Sequence, residues 1–279
     1  MIWQTSRFRI DLDRPRVMGI VNVTPDSFSD GGRDAAAARA HCDALLAQGA
    51  EILDIGGEST RPGSLRPSPQ QELDRVLPVL RHAVTLGVPV SVDTSQPLVI
   101  EAALQAGADI VNDVRALGLP GAAQAVAAHP RVGVCLMHMQ GEPGTMQTAP
   151  SYEDVVVEVG SFLADRAAHL RRMGVAADRI VLDPGFGFGK SVEHNVTLMQ
   201  RQQELLSLGY PLLAGWSRKS TLGALTGRSV GERLVASVAA ALAAVERGAR
   251  VLRVHDVAAT VDALKIWAAA GLPRASDKD

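Results

Sequence analysis

This 279-residue sequence contains little of what marks several classes of protein. It has two cysteines, Cys42 and Cys135, too far apart for a CxxC pair, which argues against a disulfide framework or structural zinc site. Its 28 basic and 30 acidic side chains nearly balance, which excludes a basic nucleic-acid surface over the whole protein. No apolar run approaches the roughly 18 residues needed to span a bilayer, and the charged N-terminus does not resemble a signal peptide. We therefore expect a cytoplasmic protein that binds neither nucleic acid nor membrane.

Short apolar, β-branched runs alternate with longer helical patterns along the chain. The runs are continuously apolar rather than alternating, as expected of parallel strands that are covered on both faces. The predicted strands are 17–21, 51–55, 88–93, 109–112, 132–137, 179–183, 211–214 and 250–254. The predicted helices are 35–47, 70–86, 97–106, 152–173, 192–208, 232–247 and 257–270. Gly49, Gly87 and Gly107 each separate a helical pattern from a strand, which predicts a left-handed glycine at those helix ends.

This alternation favours a closed barrel. Eight predicted strands in 279 residues give about 35 residues per βα unit, which suits a (β/α)8 TIM barrel. A doubly wound open sheet should carry a glycine fingerprint in its first βα turn, but residues 22–26 read NVTPD. The alternation of Phe8, Ile10 and Leu12 predicts an N-terminal β-hairpin over the barrel floor. We expect a single domain over 1–279, with a hairpin (1–15), a barrel (16–272) and a tail (273–279).

Polar residues follow most of the predicted strands. Asp and Asn at such positions often cap the next helix, but capping explains one position better than the whole series. In a TIM barrel the carboxyl ends of the strands meet at one mouth, where chemistry takes place. The series comprises Asn22, Asp54, Asp93, Asn112, His138, Asp183, Ser217 and His255.

Three familiar catalytic motifs are excluded by their spacing. Gly189-Lys190-Ser191 matches the end of a phosphate-binding P-loop, but Pro184 stands where its first glycine belongs. The segment 215–219 (GWSRK) lacks the second glycine of a serine-hydrolase elbow. The sequence has no HExxH motif, and its seven histidines are not spaced as metal ligands.

Five segments resemble the motifs of the dihydropteroate synthase family, whose members are pterin-binding TIM barrels. They are 22–32 (NVTPDSFSDGG), 58–63 (ESTRPG), 183–190 (DPGFGFGK), 217–220 (SRKS) and 253–256 (RVHD). The resemblance extends from about residue 16 to the last helix, so it covers nearly the whole chain. It implies the condensation of 6-hydroxymethyl-7,8-dihydropterin pyrophosphate with p-aminobenzoate to 7,8-dihydropteroate and pyrophosphate. It also implies Mg²⁺ as cofactor, a homodimer, and sensitivity to sulfonamides, which mimic p-aminobenzoate.

The resemblance implies a role for individual residues. Asp183, with Asp93 and Asn112, would bind the pterin ring, because a carboxylate accepts both adjacent donors of its pyrimidinone edge. Lys219 would donate to the ring. Further substrate-binding residues implied by the family are Thr60, Arg61, Pro62, Met139, Phe188, Ser217 and Ser220.

Pyrophosphate would be bound where the last strand meets the first. Arg253 and His255 would contact it, and Asn22 would supply an oxygen to Mg²⁺. The implied catalytic residues are Asp93, Lys219, Arg253 and His255. The p-aminobenzoate carboxylate would lie at Ser220, where a helix begins.

Two other functions stay open. A pterin-dependent methyltransferase would share the barrel and the polar floor, but it should lack the first-loop motif and the SRKS motif that are present here. A non-catalytic paralogue would keep the fold as a pterin-binding protein.

Overall fold

A computed structural model of the chain describes residues 1–24, 33–59 and 66–271. An N-terminal hairpin pairs β1 (Ile2–Gln4) with β2 (Arg9–Asp11) in antiparallel orientation. The strands that follow are β3 (Arg16–Asn22), β4 (Ile52–Gly56), β5 (Val90–Asp93), β6 (Ile110–Asp113), β7 (Gly133–Met137), β8 (Ile180–Asp183), β9 (Leu212–Ala214) and β10 (Ala249–Val254). Within the described residues these eight are parallel and close into a barrel, with β10 next to β3. The predicted TIM barrel and N-terminal hairpin are confirmed.

Helices cover the outside of the barrel. They are α1 (Arg33–Ala47), α2 (Pro69–Val84), α3 (Pro97–Gln105), α4 (Ala122–Ala128), α5 (Val155–Arg172), α6 (Val192–Gln200), α7 (Ser220–Thr226), α8 (Leu234–Glu246) and α9 (Val257–Ala269). The left-handed glycines predicted after three of them have φ of 97°, 76° and 99°. The predicted helix 192–208 is wrong in one respect, because it breaks at Arg201 and continues as a 3₁₀ helix, Gln202–Leu208. Gln202 explains the tighter turn, since its buried side chain donates to the carbonyls of Ala244 and Arg247.

The inward-facing side chains of the barrel form two rings. The lower ring is mainly apolar, and the hairpin packs beneath it. Trp3 of the hairpin is fully buried and donates from its indole nitrogen to the Arg179 carbonyl at 3.0 Å. The packed side chains are Trp3, Ile10, Leu12, Met18, Ile52, Ile110, Cys135, Val181, Leu213 and Val251. Because side chains alternate along a strand, the residues two positions further on form an upper ring facing the same interior.

Some expectations about organisation are not tested by the fold. The division into a hairpin (1–15) and a barrel (16–272) stays a prediction, and the predicted tail (273–279) lies outside the described residues. Among the described helices, none combines the length and the hydropathy required to cross a bilayer.

Candidate active site

The upper ring of the barrel is polar. Asp54, Asp93, Asn112, Asp183 and Arg253 lie in the carboxyl halves of β4, β5, β6, β8 and β10. The guanidinium of Arg253 donates from Nε to Asp54 Oδ2 at 2.6 Å and from Nη2 to Asp93 Oδ2 at 2.5 Å. Asn112 Nδ2 donates to the same Asp54 oxygen at 3.2 Å. One cation therefore joins two carboxylates that would otherwise repel each other.

Asp54 belongs to this ring, although the sequence led to no predicted role for it. The residue is fully buried, and its Oδ1 has no hydrogen-bond partner within the described residues. Alternation could have revealed it, because Ile52 packs in the barrel interior and the residue two positions later must face the same way. A buried carboxylate with one unsatisfied oxygen depends strongly on its cation, which here is Arg253.

Burial raises the pKa of two carboxyl groups in the ring. The pKa of Asp93 rises to about 8, because the desolvation of the charged form outweighs the opposing effect of Arg253. The pKa of Asp183 is also raised by burial, while the hydrogen bond from Gly185 and the charge of Lys219 act in the opposite direction. Gly185 N donates to Asp183 Oδ1 at 2.7 Å and thereby orients the carboxylate.

One cavity brings six of the fourteen predicted site residues together. It lies above the polar ring, at the mouth formed by the carboxyl ends of the strands. Its lining consists of Asp93, Asn112, Val114, Met137, Asp183, Phe186, Phe188, Gly215, Lys219 and Arg253. The cavity lining combines hydrogen-bonding groups below with an aromatic wall and two cations, which is the chemistry that recognises a flat polar heterocycle.

Lys219 and Phe188 form one side of the cavity. Lys219 Nζ lies 3.9 Å from the centroid of the Phe188 ring, a cation–π contact. Burial and the charge of Arg253 lower the pKa of Lys219 to about 8, and the carboxylates of Asp183 and Asp93 oppose this. The ring face therefore holds the ammonium at the edge of the cavity, where a bound ring could accept its hydrogen bond.

A second buried lysine, Lys190, supports the glycine-rich loop after β8. Its side chain is nearly inaccessible at 2% exposure. Nζ donates to the carbonyls of Gly185 and Phe188 at 2.9 and 3.1 Å and lies 2.9 Å from Nδ1 of His138. Burial lowers the pKa of Lys190 to about 7. No role for Lys190 is predicted from the sequence, although its rarity was a signal, since the chain has only four lysines.

Ser217 and His255 lie at the rim, on the loops after β9 and β10. Ser217 Oγ lies 3.0 Å from His255 Nδ1. Burial and the charges of Arg253 and Arg218 lower the pKa of His255 to about 3. His255 is therefore neutral at physiological pH, so it can supply a hydrogen bond but no positive charge.

Three further predicted site residues among those described do not line the cavity. Asn22 is half-buried at the carboxyl end of β3. Met139 is partly buried and packs against the cluster that contains Phe188. Ser220 is exposed and is the first residue of α7. The predicted substrate contacts in segment 58–63 lie outside the described residues, and they are Thr60, Arg61 and Pro62.

A further polar network, absent from the sequence-based prediction, joins four loops at the mouth. Arg115 donates to both carboxylate oxygens of Glu58 at 3.2 and 3.0 Å, and to Glu142 at 3.0 Å. It also donates to Ser95 Oγ at 2.9 Å. The Arg115 and Glu58 side chains are almost fully buried, so this pair ties the loop after β4 to the loop after β6.

Comparison with known proteins gives one consistent result. The model of the family described as pterin binding enzyme matches residues 18–255. A dihydropteroate synthase of Neisseria meningitidis serogroup B is 54% identical over 279 residues, covering 97% of this chain and 98% of the relative. The structure of Xanthomonas albilineans dihydropteroate synthase with 4-aminobenzoic acid has a TM-score of 0.89 at 52% identity and covers 95% of this chain and 96% of that chain.

A second structure of the Xanthomonas albilineans enzyme contains 7,8-dihydropteroate. It has a TM-score of 0.86 at 50% identity and covers 95% of this chain and 97% of that chain. Both the family model and these relatives extend over the polar ring and the rim described above. This chain therefore belongs to the pterin binding enzyme family and, within it, to the dihydropteroate synthases.

Proposed function

We propose that this chain condenses 6-hydroxymethyl-7,8-dihydropterin pyrophosphate with p-aminobenzoate, giving 7,8-dihydropteroate and pyrophosphate. The observation that carries the proposal is the cavity in which Asp93, Asn112 and Asp183 meet Lys219. Acceptors on one side and a cation on the other suit a heterocycle that has both donors and a carbonyl. The structures of relatives with 4-aminobenzoic acid and with 7,8-dihydropteroate support these substrates. A cytoplasmic location is part of the same proposal.

The pterin ring binds on the polar ring of the barrel in this proposal. Its exocyclic amine and neighbouring ring N–H are adjacent donors, which the Asp183 carboxylate accepts together. Asn112 and Asp93 bind other ring nitrogens and the carbonyl. Lys219 donates to the ring from the opposite side. These contacts use every charged group that lines the cavity except Arg253.

The bond between pterin carbon and pyrophosphate oxygen breaks before the arylamine attacks. No protein nucleophile is then required. The amine of p-aminobenzoate is neutral at physiological pH and attacks as such, and the acidic proton that its nitrogen carries after the C–N bond forms passes to water, so no strong base is needed. Catalysis consists of holding the substrates in line and stabilising the charges that develop. Asp93 stabilises the pterin cation, whose formation favours the ionised state of that carboxyl.

The departing pyrophosphate faces Arg253, His255 and Asn22 in this proposal. β10 pairs with β3, so these residues come from neighbouring strands. Arg253 is already hydrogen-bonded to Asp54 and Asp93, so its charge is shared between the ring pocket and the anion. His255 adds a hydrogen bond without adding charge, because its ring is neutral.

Magnesium is the cofactor in this proposal, and Asn22 is the residue that would bind it. Mg²⁺ prefers oxygen ligands and keeps several waters, so one or two protein oxygens and a substrate phosphate suffice. No group of three or more His, Cys, Asp or Glu side chains in the described residues could hold a metal. A single amide oxygen at the strand end fits an ion completed by pyrophosphate and water. When bound, the ion would neutralise charge on the leaving group.

The p-aminobenzoate carboxylate binds beside Ser220 in this proposal. Ser220 begins α7 and is accessible from solvent, so an anion can reach the backbone N–H groups of the first turn. Thr60, Arg61 and Pro62, which lie outside the described residues, would also contact this substrate. Lys219 immediately precedes Ser220, so in this proposal the two substrates would contact adjacent residues.

Product formation is the direct test. The purified protein, given both substrates and magnesium, should release 7,8-dihydropteroate and pyrophosphate in equal amounts, as measured by chromatography and a pyrophosphate assay. Pterin binding without product would indicate a non-catalytic paralogue. Transfer of a methyl group in place of this condensation would indicate the methyltransferase.

Lys219→Ala tests the pocket itself. We expect pterin affinity to fall about 10- to 100-fold, because a hydrogen bond from a charged donor contributes about 1.5–3 kcal/mol. Lys265→Ala is the matched control, since Lys265 is exposed on α9 and pairs only with Asp262 among the described residues. Calorimetric titration with pterin substrate compares the two variants. Equal affinities would show that the pterin binds elsewhere.

A homodimer is also part of the proposal, because α7, α8 and α9 carry exposed apolar side chains close together. Val235 is 78% exposed and Ile266 is 72% exposed, and α8 packs against both α7 and α9. Such patches mark protein interfaces. Val235→Glu should therefore shift the protein to a monomer in light scattering after size exclusion. Val157→Glu, at an apolar residue on α5 that is 57% exposed, should not; a dimer in both variants would exclude this surface.

A further inference from the structure

Two side-chain links join the loops that follow β9 and β10. Ser217 Oγ lies 3.1 Å from the backbone nitrogen of His255 and 3.0 Å from its ring Nδ1. One residue further along each loop, Arg218 donates to both carboxylate oxygens of Asp256 at 3.1 and 2.6 Å. The Arg218–Asp256 link aligns the loops. The Ser217–His255 link affects which ring nitrogen of His255 carries the hydrogen.

The hydroxyl of Ser217 has one hydrogen to donate, and its oxygen accepts. The backbone N–H of His255 already donates to this oxygen. If Nδ1 also carried a hydrogen, the oxygen would face two donors, and its own hydrogen would point to no acceptor among the described residues. Ser217 is only 6% exposed, so water is a poor substitute. The geometry therefore favours a hydrogen bond donated by Ser217 to Nδ1.

The charges around the ring favour its neutral state. Arg253, Arg218 and Lys219 are close to it, and Asp256 alone opposes them among the interactions that affect its pKa. A neutral imidazole carries a single N–H. Since Nδ1 accepts from Ser217, that hydrogen lies on Nε2.

We propose that Ser217 is a positioning residue that holds His255 in the Nε2–H tautomer, so that the ring presents a hydrogen-bond donor to the departing pyrophosphate. The inference rests on the proposed function and gives Ser217 a role other than that of a substrate ligand. A donor at Nε2 stabilises an oxyanion, whereas a lone pair there would repel it. No proton is transferred, because pyrophosphate leaves as an anion and His255 stays neutral.

Nitrogen NMR of the resting protein, labelled with ¹⁵N-histidine, measures the tautomer directly. The signals of His255 are assigned by their loss in His255→Gln. At neutral pH we expect the Nε2–H form in the wild type and in Ser217→Thr, which keeps the hydroxyl, and a mixture of tautomers in Ser217→Ala. Arg218→Met, which breaks only the Arg218–Asp256 link, should keep the wild-type signals. A wild-type ring protonated on Nδ1, or an unchanged ring in Ser217→Ala, would overturn the proposal.

Affinity for inorganic pyrophosphate in the presence of magnesium tests whether the Nε2–H tautomer donates a hydrogen bond to the anion. Calorimetry should show weaker binding in Ser217→Ala, by the factor through which the population of the Nε2–H tautomer falls, about twofold for an even mixture, and near-normal binding in Ser217→Thr. Equal affinity in the wild type and Ser217→Ala would contradict the donor role. Both measurements omit the pterin and p-aminobenzoate. A wild type that makes no dihydropteroate would therefore refute the proposed function without deciding the role of Ser217.

Discussion

Asp183→Asn should weaken pterin binding by about 100-fold or more while the barrel stays folded. The amide oxygen of asparagine can still accept from Gly185 N–H, which now donates to Asp183 Oδ1 at 2.7 Å. The second oxygen is replaced by an NH₂ group, which faces one donor of the pterin edge, so that neither of these two donors has an acceptor. Buried unsatisfied groups cost about 1–3 kcal/mol each, and two of them account for the expected loss. Calorimetry with 7,8-dihydropteroate measures it.

Asp183→Asn should weaken pterin binding but make the folded state more stable relative to the wild type as pH rises. Burial raises the pKa of Asp183, so the folded state binds its proton more tightly than the unfolded state. The contribution of this proton to the free energy of unfolding is complete below the ordinary pKa of an aspartate. It is lost as pH rises through the raised pKa of Asp183 in the folded state. Asparagine does not titrate, so the Tm of the variant relative to the wild type should increase with pH across that range. Asp178→Asn, on the exposed turn before β8, should change neither the pterin affinity nor the pH dependence of Tm. Undiminished pterin affinity in Asp183→Asn would contradict the role of Asp183 as a pterin ligand.

Gly185→Ala should destabilise the fold more than the same substitution at Gly209 or Gly144. A Cβ at this position would lie 1.9 Å from the backbone oxygen of His138, and the residue has φ of +69°. The glycine loop would have to leave the end of β7, which would break the contacts of Lys190 and displace Phe188. Overpacking of a rigid backbone contact costs about 3 kcal/mol or more. Chemical denaturation measures the loss, and pterin affinity should fall with it.

Two other glycines separate the causes of this loss. Gly209 has φ of +78° with nothing within 4 Å of an added Cβ, so Gly209→Ala measures the backbone conformation alone, about 1–2 kcal/mol. Gly144 has neither a positive φ nor a nearby atom, and Gly144→Ala should stay within about 0.5 kcal/mol of the wild type. If Gly185→Ala were no worse than Gly209→Ala, the close approach to His138 would not constrain the loop.

The sequence predicted the barrel well because local signals specify its strands. A mainly apolar run of four to six residues indicates a strand buried on both faces, and each predicted run is a strand within two residues of its expected ends. The break at Arg201 was not predictable in this way. It depends on hydrogen bonds from Gln202 to α8, more than forty residues away in the chain.

The candidate site was predicted from motifs at strand ends. The residues that the sequence did not reveal are held by contacts with distant parts of the chain. Asp93, Asp183 and Lys219 end or follow strands, so topology alone brings them to one mouth. Lys190 and Arg115 look like ordinary loop cations in the sequence. Their burial follows from carbonyls and carboxylates on other loops, which no local pattern identifies. The roles of the predicted residues, and those of Thr60, Arg61 and Pro62 in particular, stay predictions.

The two rings inside the barrel also bear on how such a protein can evolve. A strand such as β6, β8 or β10 contributes an apolar side chain to the lower ring and, two residues later, a polar side chain to the cavity, a separation of about 7 Å. Under the proposed function, exchanging an acid for an amide in the upper ring would alter which heterocycle is recognised and would leave the apolar ring beneath it intact. Selection can therefore act on specificity and on foldability almost separately, although both depend on the same eight strands.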